Sequence, residues 1–343
     1  MALDFGEVSG FADIPGSEAV KHLVALINCA GGVNGAPVEV QVSDIQGDVE
    51  VTAQATQELL DFGAHFLIGP PFADFGQPVL QVTKGEVPVF FAASTEPSIP
   101  DSSINSFLVS FDDTAQATAA AEWALEEGFT RAITFSAAGP YFGYNPEVFT
   151  AGGGEVIIDQ TYKPVDDVDF SAQVNEIAAI ADGSEVVYSA MLAHQVTALR
   201  SQLEGQGLDG LTYLGADAFE ATGLLAPENA PANEGMVHTT HAFVEPGGRL
   251  EKLLTSYEAA NGEALESGSF AGLYADALLL GIQAIVDCGC TEPAEIGAAV
   301  AEIADFEGFT GVMSYAGTTG IPTKPVSIHK VVDGADTLVA NWE

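Results

Sequence analysis

The sequence predicts an α/β protein built on parallel sheets with helical crossovers, and three observations lead there. Short apolar runs of strand length recur between stretches with helical periodicity. The runs Phe66-Leu67-Ile68-Gly69, Val87-Pro88-Val89-Phe90-Phe91, Ala132-Ile133-Thr134-Phe135 and Val186-Val187-Tyr188 are close to continuously apolar, as in strands covered on both faces. The length of 343 residues corresponds to roughly two domains, with no low-complexity linker or short internal repeat between them.

The elements follow in chain order. Ser17 is placed to cap a first helix whose apolar stripe is Ala19, Val20, Leu23, Val24, Leu26 and Ile27, and Gly31-Gly32 stop it. Val38, Val40 and Val42 alternate with Glu39, Gln41 and Ser43, which predicts a strand with one more exposed face. A helix is expected from Val49 to Phe62. Gly152-Gly153-Gly154 precedes the apolar run Val156-Ile157-Ile158, so it leads into a strand. The stretch from Phe270 to Val286 is interrupted by Gly272, Asp276, Gly281 and Gln283, and reads as a buried core helix instead of a membrane span.

The charge balance is −40, from 49 Asp and Glu against nine Lys and Arg. Charged residues make up 17% of the chain, below the average of about 25%, so the imbalance comes from missing cations more than from added acids. Nucleic acid is excluded as a partner, since neutralising phosphates depends on clustered Lys and Arg. An anionic membrane would not attract such a surface either. A hydrophobic content of 47% with scattered acids describes a globular chain, not a disordered one. Met1 leads into Ala2-Leu3-Asp4-Phe5 without a basic segment followed by an apolar one, so an exported protein would be present here in processed form. Cys29, Cys288 and Cys290 are too few for a disulfide framework, and Cys288-Gly289-Cys290 has no second pair to make a zinc site. Whether they form one disulfide is left open.

Motifs that carry chemistry are tested next. The sequence has no Gly-x4-Gly-Lys-Ser/Thr, and the glycine triplet precedes a strand where a dinucleotide fingerprint would open a helix. Gly268-Ser269-Phe270-Ala271-Gly272 has its serine one place too early for a nucleophile elbow and reads as a helix start. His238 and His241, three apart in an extended segment, face opposite ways, so joint metal ligation is not expected. In parallel sheets ligands sit outside the carboxyl ends of strands, which directs attention to residues 69–76, 92–99, 136–146, 189–194 and 215–220.

Within and around those loops the residues resemble a known family. Ile27-Asn28-Cys29-Ala30-Gly31-Gly32-Val33-Asn34-Gly35, Val42-Ser43-Asp44-Ile45-Gln46-Gly47-Asp48, Leu67-Ile68-Gly69-Pro70, the 87–95 segment, Gly152 to Val156, Asp169-Phe170-Ser171, Tyr213 to Asp217 and Phe309-Thr310-Gly311 occur in order along nearly the whole chain. Together they resemble the type I periplasmic solute-binding proteins of the branched-chain amino acid class, which serve ABC transporters. The resemblance implies two doubly wound parallel-sheet lobes joined by a three-segment hinge, with residues 1–112 and 243–316 in one lobe and 113–242 and 317–343 in the other. It implies a binding protein and not an enzyme, no cofactor and no metal, a monomer in the periplasm or at the cell surface, and ABC permease membrane subunits as partners. The ligand would be a small amino acid, aromatic acid or amide, held between the lobes by hinge closure. A ligand sensor of the same fold is the alternative.

The same resemblance assigns site residues. Ala93, Ser94 and Thr95 would offer N–H groups and a hydroxyl to a ligand carboxylate, as the start of a helix can, or would simply cap that helix. Asp217 would meet a ligand ammonium, or be a solvated turn residue. Tyr141 and Phe142 would stack on the ligand or pack under their loop. Relatives that bind amino acids commonly carry serine near Ala73; alanine cannot donate, and Asp74 would repel a carboxylate. Phe72 and Phe75 instead suggest an aromatic wall or burial within the lobe. Phe11 and Met191 are further wall candidates.

Overall fold

The structure, a computed structural model, describes residues 1–6, 8–137, 146–164 and 166–342. The chain divides into two units, Met1–Asp112 with His241–Pro325, and Asp113–Thr240 with Val326–Glu343. The crossing expected at 316/317 therefore falls at 325/326. Residues 317–325 stay with the first unit because Ser314 and Thr323 exchange backbone hydrogen bonds, and Lys324 reaches the Val109 carbonyl at 3.1 Å and the Thr310 hydroxyl at 2.5 Å. Likewise His241 and Ala242 belong to the first unit, so that crossing lies at 240/241.

In the first unit, strands Ala2–Leu3 and Ser43–Asp44 pair in parallel, and so do Leu67–Gly69, Val89–Phe91 and Ser106–Leu108. Strand alternation sends side chains to two cores. Phe90 and Phe107 face a cluster with helices Gly10–Cys29 and Gly268–Cys288, whereas Val89, Phe91 and Leu108 face one with Val49–Phe62 and Ala73–Thr83. Helices thus cover both faces, which is why those strands are apolar throughout. Helix Gly268–Cys288 is long and apolar enough to cross a membrane, yet its apolar residues fill the first of these cores.

Helix Val49–Phe62 runs as expected, capped by Asp48, whose carboxylate accepts from Glu50 N and Val51 N at 2.8 and 3.0 Å, and closed by Gly63 in the left-handed region. Two expectations are corrected. The first helix starts at Gly10, a full two turns before Ser17, which lies buried inside it, and Pro15 is accommodated within it. Residues 38–42 join no strand ladder, because Asn28 brackets Val38 instead: its Nδ2 donates to the Val38 carbonyl at 2.9 Å and its Oδ1 accepts from Val38 N at 2.7 Å. Val38, Val40 and Val42 still pack on the core. Cys288 and Cys290 are disulfide-bonded around Gly289, and Cys29 is an exposed thiol.

The second unit holds a seven-stranded sheet in the order Ala335–Trp342, Val326–Val332, Val237–Thr240, Thr212–Gly215, Val186–Ser189, Arg131–Ala137, Glu155–Tyr162. The last five strands of that order are parallel, and the two carboxyl-terminal strands add in antiparallel fashion. Helices Ser171–Ala178 and Ala193–Glu204 cover one face through Val174, Ile177, Val196 and Leu199.

Helices Gly10–Cys29 and Gly268–Cys288 cross at Gly16, where a Cβ would fall inside the Tyr274 ring. Gly16→Ala is expected to destabilise the first unit by roughly 1–3 kcal/mol through overpacking. An unchanged urea midpoint would show that the two helices do not touch there.

Candidate functional site

In the first unit, the segment after strand Val89–Phe91 carries Ala93, Ser94 and Thr95, all buried. The expected helix start is absent: residues 92–100 form bends and turns, and the next helical element is the short Ser102–Ile104 turn. Pro97 and Pro100 explain this, since each lacks an N–H and pushes the residue before it out of helical geometry. Ser94 is fixed through its carbonyl, which accepts from the Ser110 hydroxyl. The Ser94 hydroxyl itself is fully buried and has no hydrogen-bond partner among the described residues. A buried hydroxyl left in this state costs on the order of 1–3 kcal/mol, which a ligand oxygen would recover.

Two of the expected wall residues, Phe72 and Phe11, come together in a cluster of rings. Phe72 precedes helix Ala73–Thr83 and lies 6.5 Å from Phe11, which stands 5.5 Å edge-to-face from Phe270. His241 continues the row, 5.8 Å from Phe270 and stacked on Phe111 at 4.3 Å. Phe11, between Phe72 and Phe270, is 36% exposed and is more exposed than either. Phe75 does not join it. One position on from the half-buried Asp74, it turns inward and packs in the core with Phe91, Ile99 and Leu108. Ala73 and Asp74 occupy the first turn of their helix, where a carboxylate complements the helix dipole.

Phe11 is positioned by a buried acidic network. Asp4 accepts from Gly6 N at 3.0 Å and Ser9 N at 2.9 Å, and Asp13 accepts from Asp4 N and the Ser9 hydroxyl, both at 2.8 Å, and from the Tyr274 hydroxyl. Burial pushes the Asp13 carboxyl up to about 7, against the opposing pull of those hydrogen bonds.

In the second unit, Asp217 opens a short 3-10 turn directly after strand Thr212–Gly215 and is 8% exposed. Gln116 holds this turn: its side-chain oxygen accepts from Asp217 N at 3.2 Å and from the Thr239 hydroxyl at 3.0 Å. Glu220 closes the turn with φ of +29°, a strained value for a non-glycine residue, and its side chain caps the helix Ala221–Leu224. Ser189, which begins a loop singled out from the sequence without a role, and Tyr162, which the sequence did not flag, end the strands on either side of Arg131–Ala137. The hydroxyls of Ser189 and Tyr162 are buried without a partner among the described residues, and burial followed by the charge of Asp113 raises the Tyr162 phenol. Met191 is a correction: it is fully buried in the core with Phe170 and Val196, so it is no wall residue. Tyr141 and Phe142 lie outside the described residues.

Two α/β units, each assembled from separated chain segments, with buried polar groups gathered after parallel strands, define a small-solute binding protein. The chain belongs to the periplasmic binding protein family, whose model matches residues 3–336. No curated protein sequence matches it closely enough to count as a relative. Among solved structures, a leucine-binding protein, LivK, from Thermotoga maritima superposes with a TM-score of 0.85 at 21% identity, over 100% of this chain and 97% of that one. LivJ from Streptococcus pneumoniae, in complex with isoleucine, gives 0.84 at 19% identity over 99% and 97%. An ABC transporter solute-binding protein from R. palustris, in complex with benzoate, gives 0.81 at 18% identity over 99% and 94%.

Because the folded chain keeps a proton on Asp13 that the unfolded chain releases near its ordinary value of 3.8, the stability this group contributes is complete below that value and is lost as pH rises through about 7. The gap in melting temperature between wild type and Asp13→Asn is therefore expected to shrink between pH 5 and 8. A gap that stays constant from pH 5 to 8 would mean that Asp13 is ionised in the folded chain throughout.

Proposed function

We propose that this chain is the substrate-binding subunit of an ABC uptake system, working outside the cytoplasmic membrane as a monomer and handing a small carboxylate-bearing solute to membrane permease subunits. The observation that carries the proposal is the buried, unpartnered Ser94 hydroxyl at a strand end, in the same unit as the Phe72–Phe11–Phe270 row. Ala93, Ser94 and Thr95 take the carboxylate with N–H and O–H donors. This is the chemistry available in a chain with nine cationic side chains, none of them in these loops. The aromatic row takes the apolar part of the solute. Asp217 takes an ammonium when the solute is an amino acid, and Ser189 and Tyr162 are further donors on the same unit.

Support for this reading comes from the family and from relatives of the same fold whose bound molecules are an amino acid in one case and an aromatic acid in another. The family consists of binding proteins, and the assigned groups bind and orient without a nucleophile paired to a base. The Phe72–Phe11 row favours a solute with a flat or branched apolar body.

Isothermal titration with leucine, phenylalanine and benzoate tests the assignment. Ser94→Ala is expected to weaken every carboxylate that binds by about tenfold, the loss of one hydrogen bond to a charged group. Asp217→Asn is expected to abolish binding of the amino acids and to leave benzoate within about threefold. Equal loss of both classes would remove Asp217 from the ammonium role, and no heat with any of the three would remove this ligand class.

A further inference from the structure

The second unit contains a cluster that solute binding does not use. His238 lies on strand Val237–Thr240, directly opposite His329 on the antiparallel strand Val326–Val332. Directly opposite residues share a face of the sheet, and the two rings stand 5.6 Å apart. The chain then turns through Asp333 and Gly334, both at positive φ, and returns as strand Ala335–Trp342 with Asp336 opposite Val331. Val331 is two residues from His329, so Asp336 arrives on that same face. His238 thereby meets two side chains that follow it by ninety or more residues, the farther by 98.

Their geometry is specific. His238 Nε2 lies 3.1 Å from one Asp336 oxygen, and His329 Nδ1 lies 2.6 Å from the other. The three ligand atoms all fall within 4.8 Å of one another. The histidines are 0% and 2% exposed, while Asp336, at 22%, is the member that meets solvent. His238 Nδ1 also faces the Thr239 carbonyl at 3.3 Å, so both nitrogens of that ring point at oxygen. A neutral imidazole carries one N–H and cannot satisfy both. When Nδ1 donates to the Thr239 carbonyl, the Nε2 lone pair faces the Asp336 carboxylate, and a cation between them would satisfy both. Nearby side chains do not supply it: Arg131 is engaged by Asp182 and Glu185, Arg200 by Glu204, and Lys330, next to His329 on its strand, belongs to the opposite face.

We propose that His238, His329 and Asp336 form a site for a borderline divalent transition-metal cation, with Zn2+ as the type, completed by water on the side where Asp336 meets solvent. Two imidazole nitrogens and a carboxylate oxygen are a donor set for zinc, cobalt, nickel or copper, whereas Mg2+ and Ca2+ take oxygen ligands. Ligand atoms on a tetrahedral zinc sit about 3.3 Å apart at bond lengths near 2.0–2.1 Å, so the two His–Asp contacts, which now use different carboxylate oxygens, need to open by about 0.2–0.7 Å, and the two histidine nitrogens, now within 4.8 Å, need to settle to that spacing. The Thr239 carbonyl, facing His238 Nδ1, would hold the tautomer that leaves Nε2 free to bind metal. A bound ion would staple the carboxyl-terminal pair of strands to the parallel part of the sheet.

The test uses the full chain, freed of metal by chelator and titrated with Co2+ and Zn2+ in millimolar Mg2+, which occupies the many surface carboxylates. One equivalent of Co2+ is expected to give the intense visible bands of four-coordination, and Zn2+ at 100 times its dissociation constant to raise the melting temperature by about 5 °C. Both signals are expected to vanish in His329→Gln and to persist in Glu263→Gln. In wild type alone, Zn2+ should shift the imidazole resonances of two of the six histidines. Pale six-coordinate Co2+ spectra shared by wild type and His329→Gln, or histidine resonances unmoved by Zn2+, would overturn the site and leave a proton-bridged triad.

Discussion

The contact between Asp13 and Tyr274 is the interaction on which the first unit depends. It joins helix Gly10–Cys29 to helix Gly268–Cys288, segments more than two hundred residues apart, at the point where Gly16 lets them touch. The same carboxylate collects the backbone of Asp4 and the hydroxyl of Ser9, so it also sets where the first strand ends and the first helix begins. Phe11 is carried on that first turn and reaches Phe72 and Phe270 as a result. A buried carboxyl held this way is a weak source of stability but a strong constraint on geometry, because any other arrangement would strand its oxygens away from donors.

A shortage of cations shapes how several buried acids are handled, although the buried Glu185 does pair with Arg131. Asp4 and Asp13 are satisfied by N–H and O–H groups, with no Lys or Arg among their hydrogen-bond partners in the described residues. Asp276 follows the same pattern, accepting from Phe309 N, Thr310 N and the Thr310 hydroxyl. Burial raises its carboxyl while the charge of Lys324 opposes the shift, and burial lowers Lys324 itself to about 8. In the second unit, burial would raise Asp336, but the hydrogen bonds and charge of His238 and His329 outweigh it and hold that carboxyl well below the usual range. The proposed recognition of a ligand carboxylate by Ser94 and its neighbours would be the same solution applied to a solute.

The readable part of the candidate site was the part that obeys local rules. Ser94 and Asp217 each follow a short apolar strand, and a ligand position outside a parallel sheet is a property of that connection. Phe75 and Met191 were misread because a helix start or a strand end can turn either inward or outward, and the choice is made by what packs against it. The supposed helix after Thr95 failed because Pro97 and Pro100 outweigh the capping residues. Phe270, His241 and Phe111 carry no signal of their own, being ordinary aromatic residues of separate segments that become a row only when those segments pack.

The sequence by itself determined the α/β class, the helix Val49–Phe62, the buried strands, and a highly acidic, well-hydrated surface, because periodicity and charge are local or additive quantities. Tertiary structure alone decided that Val38 gives its backbone to Asn28 and residues 38–42 join no ladder, that residues 317–325 stay with the first unit, and that His238 faces His329 and Asp336. Those outcomes are set by which distant groups meet. A strand pattern states that a segment can pair, but the partner that satisfies its N–H and C=O groups is chosen by long-range packing, and no local stretch of sequence carries that choice.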